Sequence, residues 1–174
     1  IEGASTAQLT KWAKAAAGGG FVKELRKLLE RGAEPLTEVD GGITPLTAAA
    51  QAGQAEAVRL CLAAAPGGAA AAAKQQFYQG QTALFFAAKG GHAEAMGVLL
   101  DAGADPNQAE ETAGNAPLHV AANDLYLPAM RLLLEKGATV DAMNKRGDTP
   151  LMMACQGGNV EAARLLLEKG AAVD

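Results

Sequence analysis

Side chains that could carry out chemistry are few in this 174-residue chain, which has two histidines, two cysteines and a single serine, Ser5. Neither an HxxxH nor a CxxC spacing occurs, so no zinc-type ligand set is predicted. Ser5 falls in a segment expected to be a flexible leader, residues 1–9, which argues against a serine triad. A cysteine nucleophile would need a histidine partner and an electropositive setting. The sequence therefore predicts no enzyme, no cofactor and no metal.

Three further features receive structural interpretations. The glycine-rich stretch AAAGGGF lacks the lysine-serine ending and the preceding strand of a phosphate-binding loop. The neighbouring acids Glu110 and Glu111 are expected at a solvated tip rather than in a catalytic pair. Cys61 and Cys155 are isolated in apolar helical patterns and are expected to be buried free thiols of a reducing compartment. A cytoplasmic, intracellular location is therefore expected, with the nucleus left open.

Composition narrows the class of partner. The chain is 49% apolar but only 4% aromatic, and the abundance of alanine and leucine favours closely packed helices. A net charge of −4 argues against nucleic acid or an anionic membrane as partner, because either requires a clustered basic surface. No apolar run approaches the ~20 residues that span a bilayer.

The elements that position these residues come from an internal repeat. Four segments align without internal gaps: ITPLTAAAQAGQAEAVRLCL, QTALFFAAKGGHAEAMGVLL, NAPLHVAANDLYLPAMRLLL and DTPLMMACQGGNVEAARLLL. Their anchor leucines are Leu46, Leu84, Leu118 and Leu151, and a degenerate fifth copy places Ala13 at that position. Extra residues before the third copy, 66–74, form a low-complexity insertion expected to be a surface loop that could include a helical turn through its alanines. Self-similarity at this period predicts a solenoid.

The repeat resembles the ankyrin repeat, which has 33 residues, carries Thr-Pro-Leu-His-x-Ala and ends in Leu-Leu-x-x-Gly-Ala-Asp. The residues that match are Thr44-Pro45-Leu46, Pro117-Leu118-His119, Thr149-Pro150-Leu151, Gly91-His92, Gly103-Ala104-Asp105, Gly137-Ala138 and Gly170-Ala171. The resemblance implies an all-α solenoid of stacked helix-turn-helix units joined by hairpin-like loops. It covers residues 10–174, with repeats at about 10–36, 37–70, 75–108, 109–141 and 142–174. It also implies that His92 and His119 are structural, hydrogen-bonding residues.

Local residue chemistry supports the same architecture. Thr44 and Thr149 can cap a helix N-terminus, and a proline follows each at the first helical position, where no N–H is needed. Gly53, Gly91 and Gly158 permit the tight turn between the two helices of a repeat. Because one helix pair cannot bury its apolar face alone, the copies must stack.

The fourth copy departs from this pattern. Leu125 and Tyr126 stand where other copies have Gly91-His92, so we expect Asn123 or Asp124 to take the special backbone conformation and the two larger residues to pack. Ala116 replaces the capping threonine, at a cost of about 1 kcal/mol. We therefore expect this repeat to be the least stable. The last copy lacks the polar outer face of a terminal repeat, which favours a chain cut from a longer protein over an open apolar end.

The resemblance further implies that partners bind a concave side formed by the first helices and the hairpin tips. One variable position of that side is Ala15, Ala48, Phe86, Val120 and Met153 in successive copies. Phe85 falls in the preceding, histidine slot and is expected in the core. Phe86, Val120 and Met153 could form an apolar stripe, although Phe86 could instead only pack along adjacent first helices. The other expected partner-binding residues are Tyr78, Lys89, Asn123, Gln156, Lys145 and Arg146, of which the lysines and arginine would form a cationic rim for acidic ligand residues.

Three functions remain open from the sequence. The first is a monomeric, non-catalytic protein-interaction module that binds a peptide or helix of a partner protein in the concave groove. The second is a targeting or regulatory segment of a larger enzyme or effector. The third is a structural spacer, which the apolar groove residues disfavour. Fold alone does not choose among them.

Overall fold

A computed structural model describes residues 3–173, which form eleven α-helices and no extended strand. In chain order they are α1 (Thr6–Gly18), α2 (Val22–Glu30), α3 (Pro45–Gln51), α4 (Ala55–Ala64), α5 (Ala69–Lys74), α6 (Ala83–Lys89), α7 (Ala93–Asp101), α8 (Pro117–Asn123), α9 (Leu127–Glu135), α10 (Pro150–Gln156) and α11 (Val160–Glu168). Except for α5, the helices alternate between a first and a second helix of each repeat. The predicted all-α repeat solenoid is confirmed.

The repeats stack through two layers of helices. The first helices α1, α3, α6, α8 and α10 pack one on the next, and the second helices α2, α4, α7, α9 and α11 form a parallel row. Fully buried alanines of the first helices, among them Ala49, Ala87 and Ala121, let neighbouring helices approach closely. Between the layers lie the anchor leucines together with Met96, Met130 and Leu133. This arrangement fixes one face of every first helix toward the core and leaves the opposite face available.

The predicted helix starts agree with the capping geometry. The Thr44 hydroxyl accepts the Thr47 amide at 3.1 Å, and the Thr149 hydroxyl accepts the Met152 amide at 3.3 Å. Thr82 makes the same bond to Phe85 at 3.1 Å. Each cap satisfies an amide that has no partner within its own helix.

The first helix begins earlier than the expected domain boundary. It starts at Thr6, and the Ser5 hydroxyl caps it by accepting the Gln8 amide at 3.3 Å. Residues 6–9 of the predicted leader are therefore helical, whereas Ile1 and Glu2 lie outside the described residues.

The alanines of the insertion form a short helix, as the prediction allowed, and this helix is packed rather than loose. Residues 69–74 form the short helix α5, which packs against α4. Ala72 and Ala73 are each only 1% exposed. The alanine run thus contributes a small packed element to the second-helix layer.

The remodelled turn of repeat four contradicts our expectation. Leu125 itself adopts the left-handed conformation, with φ of 60°, while Asn123 ends α8 and Asp124 keeps φ at −100°. The prediction that Asn123 or Asp124 would absorb the turn is therefore wrong. Tyr126 packs against the core as expected, but Leu125 remains 44% exposed. A tight turn of fixed geometry requires a positive φ at this position, whichever residue occupies it.

The cysteines also differ from each other. Both are free, and Cys61 is fully buried, but Cys155 is exposed on α10. The expectation of two buried thiols is wrong for Cys155, because α10 packs against a single first helix, α8, among residues 3–173.

Candidate functional site

The two adjacent phenylalanines of α6 point to different environments. Phe85 is only 5% exposed and belongs to the buried set, which confirms the prediction of a core residue. Phe86 is partly exposed, although it packs against the edge of the core. Successive residues of a helix are rotated by about 100°, so only one of the two rings can face inward. Phe86 is therefore the ring that α6 presents at its surface.

Equivalent positions on the next two first helices carry large apolar side chains as well. Val120 on α8 and Met153 on α10 are partly exposed, like Phe86 on α6. Because α6 packs on α8 and α8 on α10, the three residues follow one another along the stack. We call them the first-helix stripe. In repeats one and two the same position holds Ala15 and Ala48, so the stripe is confined to repeats three to five.

Tyr78 lies at the tip of the loop that precedes α6. Its side chain is 62% exposed. Its Cβ lies close to Gly42 in the tip of repeat two, where a Cβ added to Gly42 would be 3.3 Å from the Cβ of Tyr78. The next residue, Gln79, has a φ of 60° and turns the chain at this tip. Tyr78 is thus displayed at the junction of two tips, with most of its surface exposed.

The three predicted cationic residues are not equally available. Arg146 pairs with Asp148, with 2.7 Å between Nη2 and Oδ2 and a second contact of 2.9 Å from Nε. Lys145 donates from Nζ to the main-chain oxygen of Glu111 and therefore keeps its net charge. Lys89 is exposed at the end of α6. The charge of Arg146 is already compensated, whereas Lys89 and Lys145 belong to no ion pair among residues 3–173.

Two polar residues stand one turn beyond the stripe. Asn123 is exposed at the end of α8, where its amide nitrogen donates to Asp124 at 2.7 Å. The main-chain oxygen of Asn123 accepts the Asn159 side chain at 2.6 Å, which ties the turn of repeat four to that of repeat five. Gln156, at the equivalent position on α10, is exposed.

Hydrogen bonds connect the tips of repeats three, four and five. The Glu111 amide donates to the Gln79 oxygen at 2.8 Å, and the Lys145 amide donates to the Ala113 oxygen at 2.9 Å. Asn144 adds a side-chain bond of 2.9 Å to Asn115. Adjacent tips therefore hold each other in register, which fixes Tyr78 and Lys145 relative to the stripe.

Glu110 has a structural role that the sequence prediction missed. It is 5% exposed, and its carboxylate accepts the main-chain amides of Thr112 at 2.6 Å, Ala113 at 2.9 Å and Asn115 at 3.0 Å. The prediction of a solvated tip is therefore wrong for Glu110, although Glu111 is exposed. Burial acts to raise the pKa of Glu110, but these backbone bonds outweigh it and lower the pKa below its ordinary value. The tightly turned segment that follows could have suggested an acceptor for its free amides.

His119 performs the structural role that the resemblance implies. Its Nδ1 accepts the Ala116 amide at 3.1 Å, so Nε2 carries the proton and donates to the Asp148 oxygen, also at 3.1 Å. Burial lowers the pKa of His119, and bonds to Asp148 and Ala116 oppose the shift without cancelling it. The ring is therefore neutral, and its accepting nitrogen binds the Ala116 amide as the Thr47 hydroxyl binds the Thr44 amide in repeat two. His92 likewise bonds the Gln51 oxygen through Nε2 at 3.0 Å.

The structure offers little reactive chemistry. Within residues 3–173, no group of three or more His, Cys, Asp or Glu side chains is arranged to hold a metal ion. Burial raises the pKa of the Cys61 thiol to about 12, which keeps it protonated and inert at neutral pH. None of the described helices combines the length and the apolar character needed to cross a membrane.

Stacked helix pairs with hydrogen-bonded tips define a repeat protein of the solenoid class. The family model described as "Ankyrin repeats (3 copies)" matches residues 13–110 and 107–174. The chain belongs to the ankyrin-repeat family. Ankyrin repeats are a general protein–protein interaction module, and the family is generally non-catalytic.

Curated relatives share this repeat over short segments. Ankyrin repeat and KH domain-containing protein 1 of Homo sapiens is 36% identical over 105 residues, which are 60% of this chain and 4% of that protein. Ankyrin repeat domain-containing protein 17 of Mus musculus is 42% identical over 69 residues, 39% of this chain and 3% of that protein. Protein phosphatase 1 regulatory subunit 27 of Mus musculus is 42% identical over 68 residues, 39% of this chain and 44% of that protein. The chain thus matches well under half the length of the first two relatives and somewhat less than half of the third.

Proposed function

We propose that this chain is a non-catalytic binding module that takes a peptide or helix of a partner protein along its concave groove. The partner would lie across α6, α8 and α10 and cover the first-helix stripe. One observation carries the proposal: Phe86, Val120 and Met153 keep part of their apolar surface exposed on three consecutive repeats, and the residues directly before and after Phe86 and Val120 are buried.

Burial of apolar surface supplies the driving force. Complete burial of one such side chain is worth about 1.5–3 kcal/mol, and the part already buried in the free array reduces the gain to about 1 kcal/mol each. Tyr78 offers more, because most of its ring is exposed. A few anchors of this size are typical of an interaction hot spot.

Charge gives the partner segment a preference. Lys89 and Lys145 flank the stripe with uncompensated charge, whereas Arg146 is paired with Asp148. Acidic residues at the edge of the bound segment would therefore pair with Lys89 and Lys145 but not with Arg146. Such rim charges affect the rate of association and specificity more than affinity.

The proposal is tested by affinity capture with matched variants. Wild-type array and a Phe86→Ala, Met153→Ala variant are immobilised, and bound proteins from a lysate of the source organism are quantified by mass spectrometry. The control variant, Arg131→Ala with Leu167→Ala, removes exposed side chains of the second helices. Circular dichroism and urea unfolding establish that all three arrays are folded.

Partners captured by wild type and control but reduced about tenfold on the stripe variant support the proposal. Equal capture by all three arrays contradicts it and moves the binding surface elsewhere. Since Phe86 touches the core, the alanine substitutions are preferred to aspartate, which could unfold repeat three.

A regulatory segment of a larger enzyme is the second candidate. The similarity to a phosphatase regulatory subunit from mouse favours it. Partners that are phosphatases or other enzymes, and whose activity changes on addition of the array, would support this candidate. If the activity of the captured partners does not change, the non-catalytic binding module remains as the only supported candidate.

A further inference from the structure

Leu125 occupies a backbone position for which the other repeats use glycine. Five residues after the stripe position, the repeats carry Gly20, Gly53, Gly91, Leu125 and Gly158. Their φ angles are 71°, 71°, 70°, 60° and 70°. Four copies thus reach the left-handed conformation without a side chain, and only repeat four reaches it with one. A leucine is strained there, because its Cβ crowds the following carbonyl oxygen.

Space explains why the leucine is tolerated. In repeats two and three, a side chain of the next repeat lies against the turn glycine. A Cβ added to Gly53 would lie 2.5 Å from the His92 side chain, and one added to Gly91 would lie 2.3 Å from the Tyr126 side chain, so both would clash. The corresponding residue above Leu125 is Asn159, which directs its amide nitrogen to the oxygens of Ala122 and Asn123. The side chain at 125 therefore has room.

Packing does not offset the strain. Leu125 is 44% exposed and belongs neither to the buried core nor to the partly buried side chains packed against it. Its neighbours Tyr126 and Leu127 do pack there. A strained, exposed leucine that adds little to the core is an outlier of the kind found at binding sites.

We infer that Leu125 is a contact residue for an apolar side chain of the bound partner segment, and that a lysine or arginine of that segment lies beside it. The inference rests on the proposed function, since α8, which carries Val120, leads directly into this turn and one segment can cover both. Asp124 supplies the charge preference, because it is exposed and no salt bridge among residues 3–173 involves it. Leu125 thereby extends the first-helix stripe to the helix–helix turn of repeat four.

Two substitutions separate the side chain from the backbone. Leu125→Gly removes the contact and the strain, so the folding equilibrium constant should rise about threefold. Leu125→Ala removes the contact but keeps a Cβ in the left-handed conformation, so it should bring no comparable gain. Both variants should bind the partner segment about tenfold more weakly. Leu167→Ala, at an exposed leucine of α11, is the matched control.

The probe is a phage-displayed library of random 16-residue peptides selected on the wild-type array. Recovered peptides are synthesised, and their Kd values are measured by fluorescence anisotropy on Leu125→Gly, Leu125→Ala, Phe86→Ala and Leu167→Ala. We expect peptides with an apolar residue next to lysine or arginine, weakened about tenfold by both Leu125 variants and by Phe86→Ala, and less than twofold by Leu167→Ala.

The other outcomes distinguish this inference from the proposed function. Peptides weakened by Phe86→Ala but unchanged on both Leu125 variants overturn the inference and leave the groove intact. Peptides weakened only by the Leu125 variants support the contact and contradict the groove. Peptides indifferent to all these sites, or a selection that yields none, contradict both.

Discussion

His119 joins the start of α8 to the tip that precedes α10. Its Nδ1 accepts the Ala116 amide, and its Nε2 donates to the Asp148 oxygen at 3.1 Å. The ring is fully buried, so both bonds are shielded from water. This one side chain both binds the amide of the residue that precedes α8 and holds repeat four to repeat five.

The neutral state of His119 predicts acid sensitivity. Its pKa is lowered from 6.5, so below pH 6.5 the unfolded chain binds a proton that the folded chain does not. Stability from this group is fully present above pH 6.5 and falls as the pH drops toward the folded pKa, by at most about 1.4 kcal/mol per pH unit. Urea unfolding between pH 7.5 and 5 measures it. The His119→Gln variant should be less stable at pH 7.5, and its free energy of unfolding should change less with pH between 7.5 and 5. A pH dependence equal to that of wild type would contradict the assignment.

Removing the Glu110 carboxylate should loosen the tip of repeat four. Glu110→Ala leaves three main-chain amides without their acceptor, at a cost of about 1–3 kcal/mol. Because the pKa of Glu110 is lowered, its stabilisation is present above pH 4.5 and is lost as the pH falls below that value. The stabilities of wild type and Glu110→Ala in urea unfolding should therefore differ at pH 7, and the difference should shrink as the pH falls below 4.5. Glu111→Ala, at an exposed neighbour, should change stability little; equal losses would sink the assignment.

Leu125→Gly should stabilise the protein. Relief of the left-handed strain, reduced by the greater unfolded-state entropy of glycine, leaves a gain of roughly 0.5–1 kcal/mol. The urea midpoint should rise while the m-value stays constant. As a matched control, Gly158→Leu places the same residue at a similar positive φ in repeat five and should destabilise. A loss of stability in Leu125→Gly would show that the leucine contributes packing.

The two cysteines should differ in reactivity. Cys155 is exposed and should react with a thiol reagent in the native array, whereas burial raises the pKa of Cys61 to about 12 and should protect it. Titration with Ellman's reagent should count one thiol in buffer and two in denaturant. Cys155→Ser should abolish the native reaction; a native reaction that persists would place the accessible thiol at Cys61.

Repetition made most of the fold predictable. The spacing of the anchor leucines, the Thr-Pro starts and the glycine turns led from sequence to stacked helix pairs, because these residues satisfy local backbone requirements wherever they recur. Phe85 and Phe86 could be assigned to core and surface for the same reason, since the slot of Phe85 is also buried at Thr47 and His119 in the neighbouring repeats.

Features that differ from their equivalents in the other copies could not be predicted in this way. Leu125 takes the turn conformation because Asn159 of the next repeat leaves it room, which is a tertiary circumstance. Glu110 is buried because its loop folds back over its carboxylate, and Cys155 is exposed because α10 packs against a single first helix, α8. The alanine run at 69–74 has high helix propensity but needed α4 as a packing partner before it became part of the core. The pairing of Arg146 with Asp148 was likewise invisible in the sequence.

Amide hydrogen exchange of the array, free and bound to a captured partner, tests the central claim most directly. The account predicts that the partner slows exchange in α6, α8 and α10 and at the tips around Tyr78 and Lys145, while α4, α7 and α9 keep their free-state rates. Protection confined to the second helices, with no change along α6, α8 and α10, would contradict it.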